Sequence, residues 1–494
     1  MSENHSVENS SPFDETLALF NFPIHVKWIW TAFAFVVIAF AYSCYHRSIH
    51  IDDAWLSEMS YFLSKDGILK SEAFSGWEHS ELHVFFTHQL LIRIGAVFAR
   101  LFGYGAYQMK MVGLMFLLAL MFLWYLMLAK MRASSGFKAM FLLLLLGNCR
   151  VFDAGFMFRP ELALSFFISV SYFLLLAFKR TGKSRYAVGA GLACAIAIGF
   201  HLNGVVCVAA GVILLLKWKK LKHIPFFLLP ACFGFAIYFI DIRSHEDVLT
   251  LFSQFHHAPS LTENHFTRWH YLLNLLGEHR RFFATPSEMS LSVFLIVTAV
   301  LGYRKISSRF SDLLVYSGAL VFFVALIAQS KTPKYMILYI PFLIFIICAG
   351  LSVSFSKKPV LLSALLVAYF ASQAWGDKEV ILQKENRLAY YAEVTKNLSA
   401  GTRILAPFDF VFFGLDRFRI RPFSAFLLSN QKPGELAAKA PYNELLNRDH
   451  IQAIVFDKDA YKEYRIETEP PADFKLTAAN QALGLYFYER THAR

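Results

Sequence analysis

Charge is what this sequence has least of. Asp, Glu, Lys and Arg together make up 17% of its 494 residues, where a soluble globular chain carries roughly a quarter. The charge needed to coat a water-facing surface is missing, which excludes a chain of two or three soluble domains. Cysteine is also scarce. The six (Cys44, Cys149, Cys194, Cys207, Cys232, Cys348) fall in apolar segments and form no CxxC pair, so neither a disulfide framework nor a zinc knuckle is indicated. No GxGxxG or P-loop occurs, and no nucleotide is assigned. The first 24 residues are polar and acidic (Glu3, Glu8, Asp14, Glu15) and lack a basic n-region; they read as a disordered cytoplasmic tail and not as a signal peptide.

What is present is hydrophobicity: 56% of residues, with 52 Phe, 22 Tyr and a mean hydropathy of +0.44. Apolar runs lie near 26–45, 107–129, 137–149, 156–178, 186–202, 203–216, 224–240, 289–302, 313–329, 335–350 and 359–375. A polytopic membrane protein of about eleven transmembrane helices is expected, although several runs fall short of the roughly 20 residues a span needs. The net charge of +12 does not point to nucleic acid, because the basic residues sit in alternate loops: Lys130, Arg132 and Lys138; Lys179, Arg180, Lys183 and Arg185; Lys217, Lys219, Lys220 and Lys222; Arg304, Lys305 and Arg309; Lys357 and Lys358. This is the positive-inside pattern with a cytoplasmic N-terminus.

Residues 84–102 decide the topology. By hydropathy they are a span, but counting them as one would turn every later basic loop outward. Gln89, Arg93, Ala96 and Arg100 recur at helical spacing as one polar stripe. The segment is therefore expected to be an amphipathic helix at the outer interface, its rival being a span with two buried arginines. Three outer pieces remain: a first loop at 46–106, a second at 241–288, and a tail at 376–494. The tail reads as a small α/β domain, with a helix over 377–400 capped by Gly401 and strands at 402–406, 451–456 and 484–489. The expected division is 1–24, a membrane domain 25–375, and the α/β domain 376–494.

Ionisable residues avoid the span interiors and gather at their outer ends: Asp52 and Asp53; Asp153, Arg159 and Glu161; His201 and Asn203; Lys331, Lys334 and Tyr335. Acids, bases and cations from distant positions thus share one membrane face, which suits a substrate with an embedded part and an anionic head. Transfer of a sugar from a polyprenyl phosphate fits. The phosphate is a good leaving group, cations balance its charge, a carboxylate takes the acceptor's proton, and no metal is required. His79, Glu81 and His83 are spaced i, i+2, i+4; on a helix the two histidines could hold a divalent metal, with His256, His257 or His265 approaching from the second loop.

The order I-D-D-A-W after the first span, L-F-G at 101–103, F-R-P-E-L-A-L-S-F-F at 158–167, H-L-N-G at 201–204 and K-T-P-K-Y at 331–335 resembles the GT-C glycosyltransferases of the protein O-mannosyltransferase and aminoarabinose-transferase type, over roughly residues 25–375. The resemblance implies a periplasmic reaction at the bacterial inner membrane. The donor would be a sugar on undecaprenyl phosphate, and the acceptor a glycan, lipid or protein. Asp52 would be the catalytic base, with Asp53 where that family has Glu. Glu161 would be a second acid after Arg-Pro. Lys334 and Tyr335 would hold the donor phosphate, joined by Lys331 and Arg93 as further phosphate candidates. Asp153, Arg159, His201, Asn203, His79 and His83 are further substrate-contact candidates. One departure stands out: His79-Ser-Glu81-Leu-His83 replaces the family's His-Pro-Pro. Two other readings are a lipid-linked glycan ligase or polymerase using a diphosphate donor, favoured by the Arg- and His-bearing 241–288 loop, and a lipid-glycan flippase, which would need polar groups along the spans.

Overall fold

The computed structural model describes residues 22–257, 269–328, 331–382, 387–423, 446–447, 449–458 and 473–491. The N-terminal tail through residue 21 and His265 lie outside them. Each of the eleven apolar runs contains a helix. In chain order the helices are α1 (Val26–Cys44), α2 (Ile51–Lys65), α3 (Gln89–Phe102), α4 (Ala106–Lys130), α5 (Ser135–Leu146), α6 (Cys149–Ala154), α7 (Glu161–Thr181), α8 (Ser184–Phe200), α9 (Val205–Lys217), α10 (Ile224–Cys232), α11 (His245–His256), α12 (His270–Leu276), α13 (His279–Phe282), α14 (Pro286–Arg309), α15 (Ser311–Ile327), α16 (Ile340–Ser354), α17 (Pro359–Leu382), α18 (Arg387–Thr395) and α19 (Val411–Gly414). Among the described residues six helical stretches are long and apolar enough to cross a membrane, and five shorter apolar helices complete the bundle. The protein is an integral membrane protein.

Sequence chemistry sets several breaks. Asn148 accepts hydrogen bonds from Arg150 N–H and Val151 N–H, ending the run of leucines in α5 and capping α6. Pro230 lies inside α10, and the run continues as a 3₁₀ helix over Phe233–Phe239, as expected where proline removes a backbone donor. Gly113 lets α4 lie against the strand of chain entering α7: a Cβ there would stand 2.1 Å from the carbonyl oxygen of Met157. Gly113→Ala should therefore cost about 1–3 kcal/mol, read as a lowered unfolding temperature of the purified protein in detergent.

Helix α3 is shorter than its expected segment and is oriented differently. The first part of its polar stripe turns into the protein: Gln89 is buried and donates to the carbonyls of Val84 and Phe85, and Arg93 pairs with Asp241, while Arg100 is exposed and donates to the carbonyls of Leu63 and Ser64. Val97, Leu101 and Phe102 are exposed as well. Arg93, paired with a carboxylate, has no need to face water, and the apolar side is left for lipid.

Among the described residues the C-terminal part carries a five-stranded mixed sheet in the order β2-β1-β3-β5-β4, built from β1 (Arg403–Ala406), β2 (Arg419–Pro422), β3 (Ala453–Asp457), β4 (Phe474–Asn480) and β5 (Leu485–Arg490). Strand β1 is parallel to both β2 and β3, and β5 is antiparallel to β3 and β4. Three of these strands fall on predicted runs, while β2 and β4 do not. The helix expected over 377–400 is divided: α17 runs on to Leu382, and α18 begins at Arg387. Gly401 follows with φ +83°, the left-handed geometry that glycine adopts freely. The sheet's core includes Ala54 of α2 and Ala73 of the following loop, so α2 is packed between bundle and sheet.

Candidate active site

The site begins with the cap of α2. His50 is its N-cap: Nδ1 accepts from Asp52 N–H at 3.1 Å, while Asp53 Oδ2 accepts from His50 N–H at 3.2 Å. This reciprocal capping gives the two adjacent carboxylates different tasks. Asp53 is fully buried; its Oδ1 accepts from Phe158 N–H at 2.6 Å, and Lys110 Nζ stands 3.6 Å from Oδ2. It ties α2 to α4 and to the approach to α7. Asp52 remains 33% exposed and is engaged by Arg159.

Arg159 spans two acids. Its Nη1 donates to Asp52, while Nε lies 3.1 Å from both Glu161 oxygens and Nη2 is 2.5 Å from Oε1. Glu161, the first residue of α7, is nearly buried and directs its carboxylate at the guanidinium. On the other side Lys334, in the 3₁₀ turn Pro333–Leu338, places Nζ 2.9 Å from His50 Nε2, and His50 Nδ1 is 3.5 Å from Asp52 Oδ2. Burial first and Arg159 second lower the Lys334 ammonium's pKa; burial first and Lys334 second lower that of His50.

A second arc faces this one. His88, with φ +32° at the N-cap of α3, has its ring 4.7 Å from that of His201, which in turn is 6.3 Å from Tyr335. His88 Nδ1 lies 3.3 Å from the Phe200 carbonyl, and His201 Nδ1 accepts from Asn203 N–H at 2.9 Å. Burial holds His201 down at about 3, with His88 adding to the effect, and lowers His88 as well.

Asp52, Glu161, Arg159, His201, Asn203, Lys334 and Tyr335, all named from the sequence, therefore belong to one cluster. Asp153 is on the last turn of α6, where its carbonyl accepts from Arg47 and its charge reaches Lys334. Others are engaged elsewhere. Lys331 is 3.2 Å from Glu278 and donates to the carbonyls of Ala325 and Ala328, closing the end of α15. Arg93 is paired with Asp241, and His83 stacks on Phe85 with Nε2 3.7 Å from that same aspartate. His79 is exposed in a turn and not on a helix, so the helical spacing invoked for a metal pair does not apply. His257 pairs instead with Glu78 at 3.0 Å. Among the described residues no group of three His, Cys, Asp or Glu is placed to hold a metal ion.

His50, His88 and Lys110 were not visible in the sequence. Their roles depend on partners far along the chain, and a lone histidine carries no spacing signal. An apolar cavity of about 480 Å³ lies between α1 and α4, lined by Phe33, Val37, Tyr45, Tyr107, Met111 and Phe156 among others; Lys110 Nζ stands 6.0 Å from the centre of the Phe156 ring.

No protein-family model and no curated protein sequence matches the chain. Solved structures do. ArnT from Cupriavidus metallidurans in the apo state matches 94% of this chain and 97% of its own, at 14% identity and a TM-score of 0.55. The chain has the GT-C fold. The same protein bound to undecaprenyl phosphate gives 12% identity over 94% and 98%, also at 0.55. The oligosaccharyltransferase of Archaeoglobus fulgidus gives 12% over 90% of this chain and 71% of its own, at 0.54, and has been solved with zinc and sulfate as well. In this chain the sheet lies at the same end as the α2 carboxylates, with Ala54 of α2 in its core.

Proposed function

We propose that the protein is a membrane glycosyltransferase that moves a sugar from a polyprenyl-phosphate carrier to an acceptor by a single inverting displacement. One observation carries this reading: Asp52 and Lys334, from opposite ends of the membrane sequence, meet across His50. The acceptor O–H or N–H attacks the anomeric carbon as the bond from that carbon to the phosphate oxygen breaks. The acceptor's proton passes to Asp52, and the polyprenyl phosphate leaves against the Lys334 ammonium, with Tyr335 beside it. Glu161 acts through Arg159, which fixes Asp52. The apolar cavity between α1 and α4 suits a long aliphatic substituent.

The basic ends of the helices support the orientation. Lys179 and Lys217, at the ends of α7 and α9, converge on Asp312 at 2.6 and 2.7 Å, one α7 length from Glu161. With that end cytoplasmic, Asp52 faces the periplasm of a bacterial inner membrane and the carrier is undecaprenyl phosphate. Purified protein given sugar-loaded prenyl monophosphate and diphosphate donors tests the reading. Turnover with the monophosphate and inverted anomeric configuration by NMR are expected; product from the diphosphate alone would make it a glycan ligase, and flux without covalent product a flippase.

Proton accounting gives a further expectation. Because His50 Nδ1 accepts a backbone N–H, a neutral ring carries its proton on Nε2, facing Lys334 Nζ. With Nε2 protonated, an ammonium facing it sets donor against donor, which adds to the burial that lowers the Lys334 pKa, and an arriving phosphate favours the charged form. Binding of polyprenyl phosphate should therefore take up protons, read by calorimetry in buffers of different ionisation enthalpy. The sign follows: the ammonium is the binding form, so affinity falls by up to about tenfold per pH unit above the lowered pKa of free-site Lys334. Lys334→Arg, permanently charged, should bind without proton uptake. Equal uptake in wild type and variant would remove Lys334 from the phosphate site.

A further inference from the structure

We infer that Trp55, His88 and His201 form a recognition wall for a neutral, hydroxyl-bearing glycosyl group. The inference rests on the reading of Asp52 and Lys334 as the reaction centre and names the class of sugar that centre receives.

Position comes first. Trp55 lies three residues beyond Asp52 on α2, close to the same helix face. Its ring is 6.4 Å from that of His88, which is 4.7 Å from His201. His88 lies within the electrostatic reach of Glu161, Arg159 and Asp52, and His201 within that of Glu161 and Arg159. The three rings come from α2, the start of α3 and the end of α8, and all remain partly accessible. Trp55 also packs against both apolar cores, and the three rings lie beside the carboxylate cluster.

Hydrogen-bond capacity comes second. Trp55 Nε1–H is buried with no partner, a state that costs free energy until a ligand supplies an acceptor. His88, donating from Nδ1 to the Phe200 carbonyl, presents the lone pair of Nε2. His201, accepting at Nδ1, presents Nε2–H. Donor, acceptor and donor in sequence match sugar hydroxyls, which both give and accept hydrogen bonds.

Charge comes third. Trp55 and His201 present N–H groups that need an acceptor, and the wall itself carries no carboxylate, since Asp52 and Glu161 are turned to Arg159. An ammonium on the sugar offers donors and no acceptor, so those N–H groups would stay desolvated without a partner. A hydroxyl-only sugar meets no such cost.

The test uses the purified full-length protein and three probes of equal prenyl length: polyprenyl methyl phosphate, a sugarless diester; polyprenyl-phospho-hexose; and a polyprenyl-phospho-aminosugar. The hexose diester should bind about tenfold tighter than the methyl diester, the size of one newly satisfied buried donor, and the aminosugar no tighter than the methyl diester. Trp55→Phe, which keeps the ring packed on Phe74, should abolish the hexose increment and leave methyl-diester affinity unchanged; His88→Ala should do the same. An aminosugar that outbinds the hexose, or an increment untouched in Trp55→Phe, overturns the inference while leaving the parent reading in place. Failure of the methyl diester itself to bind overturns the parent reading and this one with it.

Discussion

Asp52→Asn should lower transfer by about a hundredfold or more while leaving the unfolding temperature of the purified protein unchanged. The amide keeps the shape of the carboxylate and can still accept from Arg159, but it cannot take the acceptor's proton. Asp52 suits this role because it is accessible, whereas its neighbour is not. Asp53 is enclosed, with one oxygen on Phe158 N–H and the other near Lys110 and His50 N–H. Asp53→Asn should therefore appear as lost stability, since an amide nitrogen would face donors. Turnover near the wild-type rate in folded Asp52→Asn would remove the general base from the scheme.

Arg159→Ala should cost about 3–5 kcal/mol of stability, the usual penalty for leaving a buried ionic partner uncompensated. Glu161 is almost wholly enclosed, and the cation facing both its oxygens is Arg159. The double variant Arg159→Ala, Glu161→Ala removes the stranded charge and should regain much of that loss without regaining turnover, because Asp52 then lacks its positioning cation. Thermal unfolding and transfer measured on both variants separate the two effects. Recovery of transfer in the double variant would show that Arg159 does nothing for Asp52.

The membrane part was legible because length and apolarity are one-dimensional signals. All eleven runs contain helices, and the end of each that bears ionisable residues was already evident. Asp52, Arg159, Glu161, Lys334, Tyr335, His201 and Asn203 could be named because charge at the edge of an apolar run is conspicuous. The rest was hidden by distance along the chain. His50 gains its meaning from Lys334, His88 from His201, and Lys110 from Asp53, and no local pattern announces such pairs. Lys331 and Arg93 show the converse: both looked like free cations until Glu278 and Asp241 came into view. Strand β2 reads Arg-Ile-Arg-Pro, with too much charge to suggest a sheet; it is placed by its pairing with β1.

Helix α2 belongs to two structures at once. One side carries Asp52, and another contributes Ala54 to the sheet's core, with Tyr61 hydrogen-bonded to Asp416 beyond it. Phe74 in the next loop meets Phe408, and Arg421 holds the Ser75 carbonyl at 2.8 Å. The C-terminal layer is thus a splint for the helix that carries Asp52 and not a detachable lid. A chain cut after Leu382 would strip that packing from α2 and leave the Asp52 helix unbraced on one side.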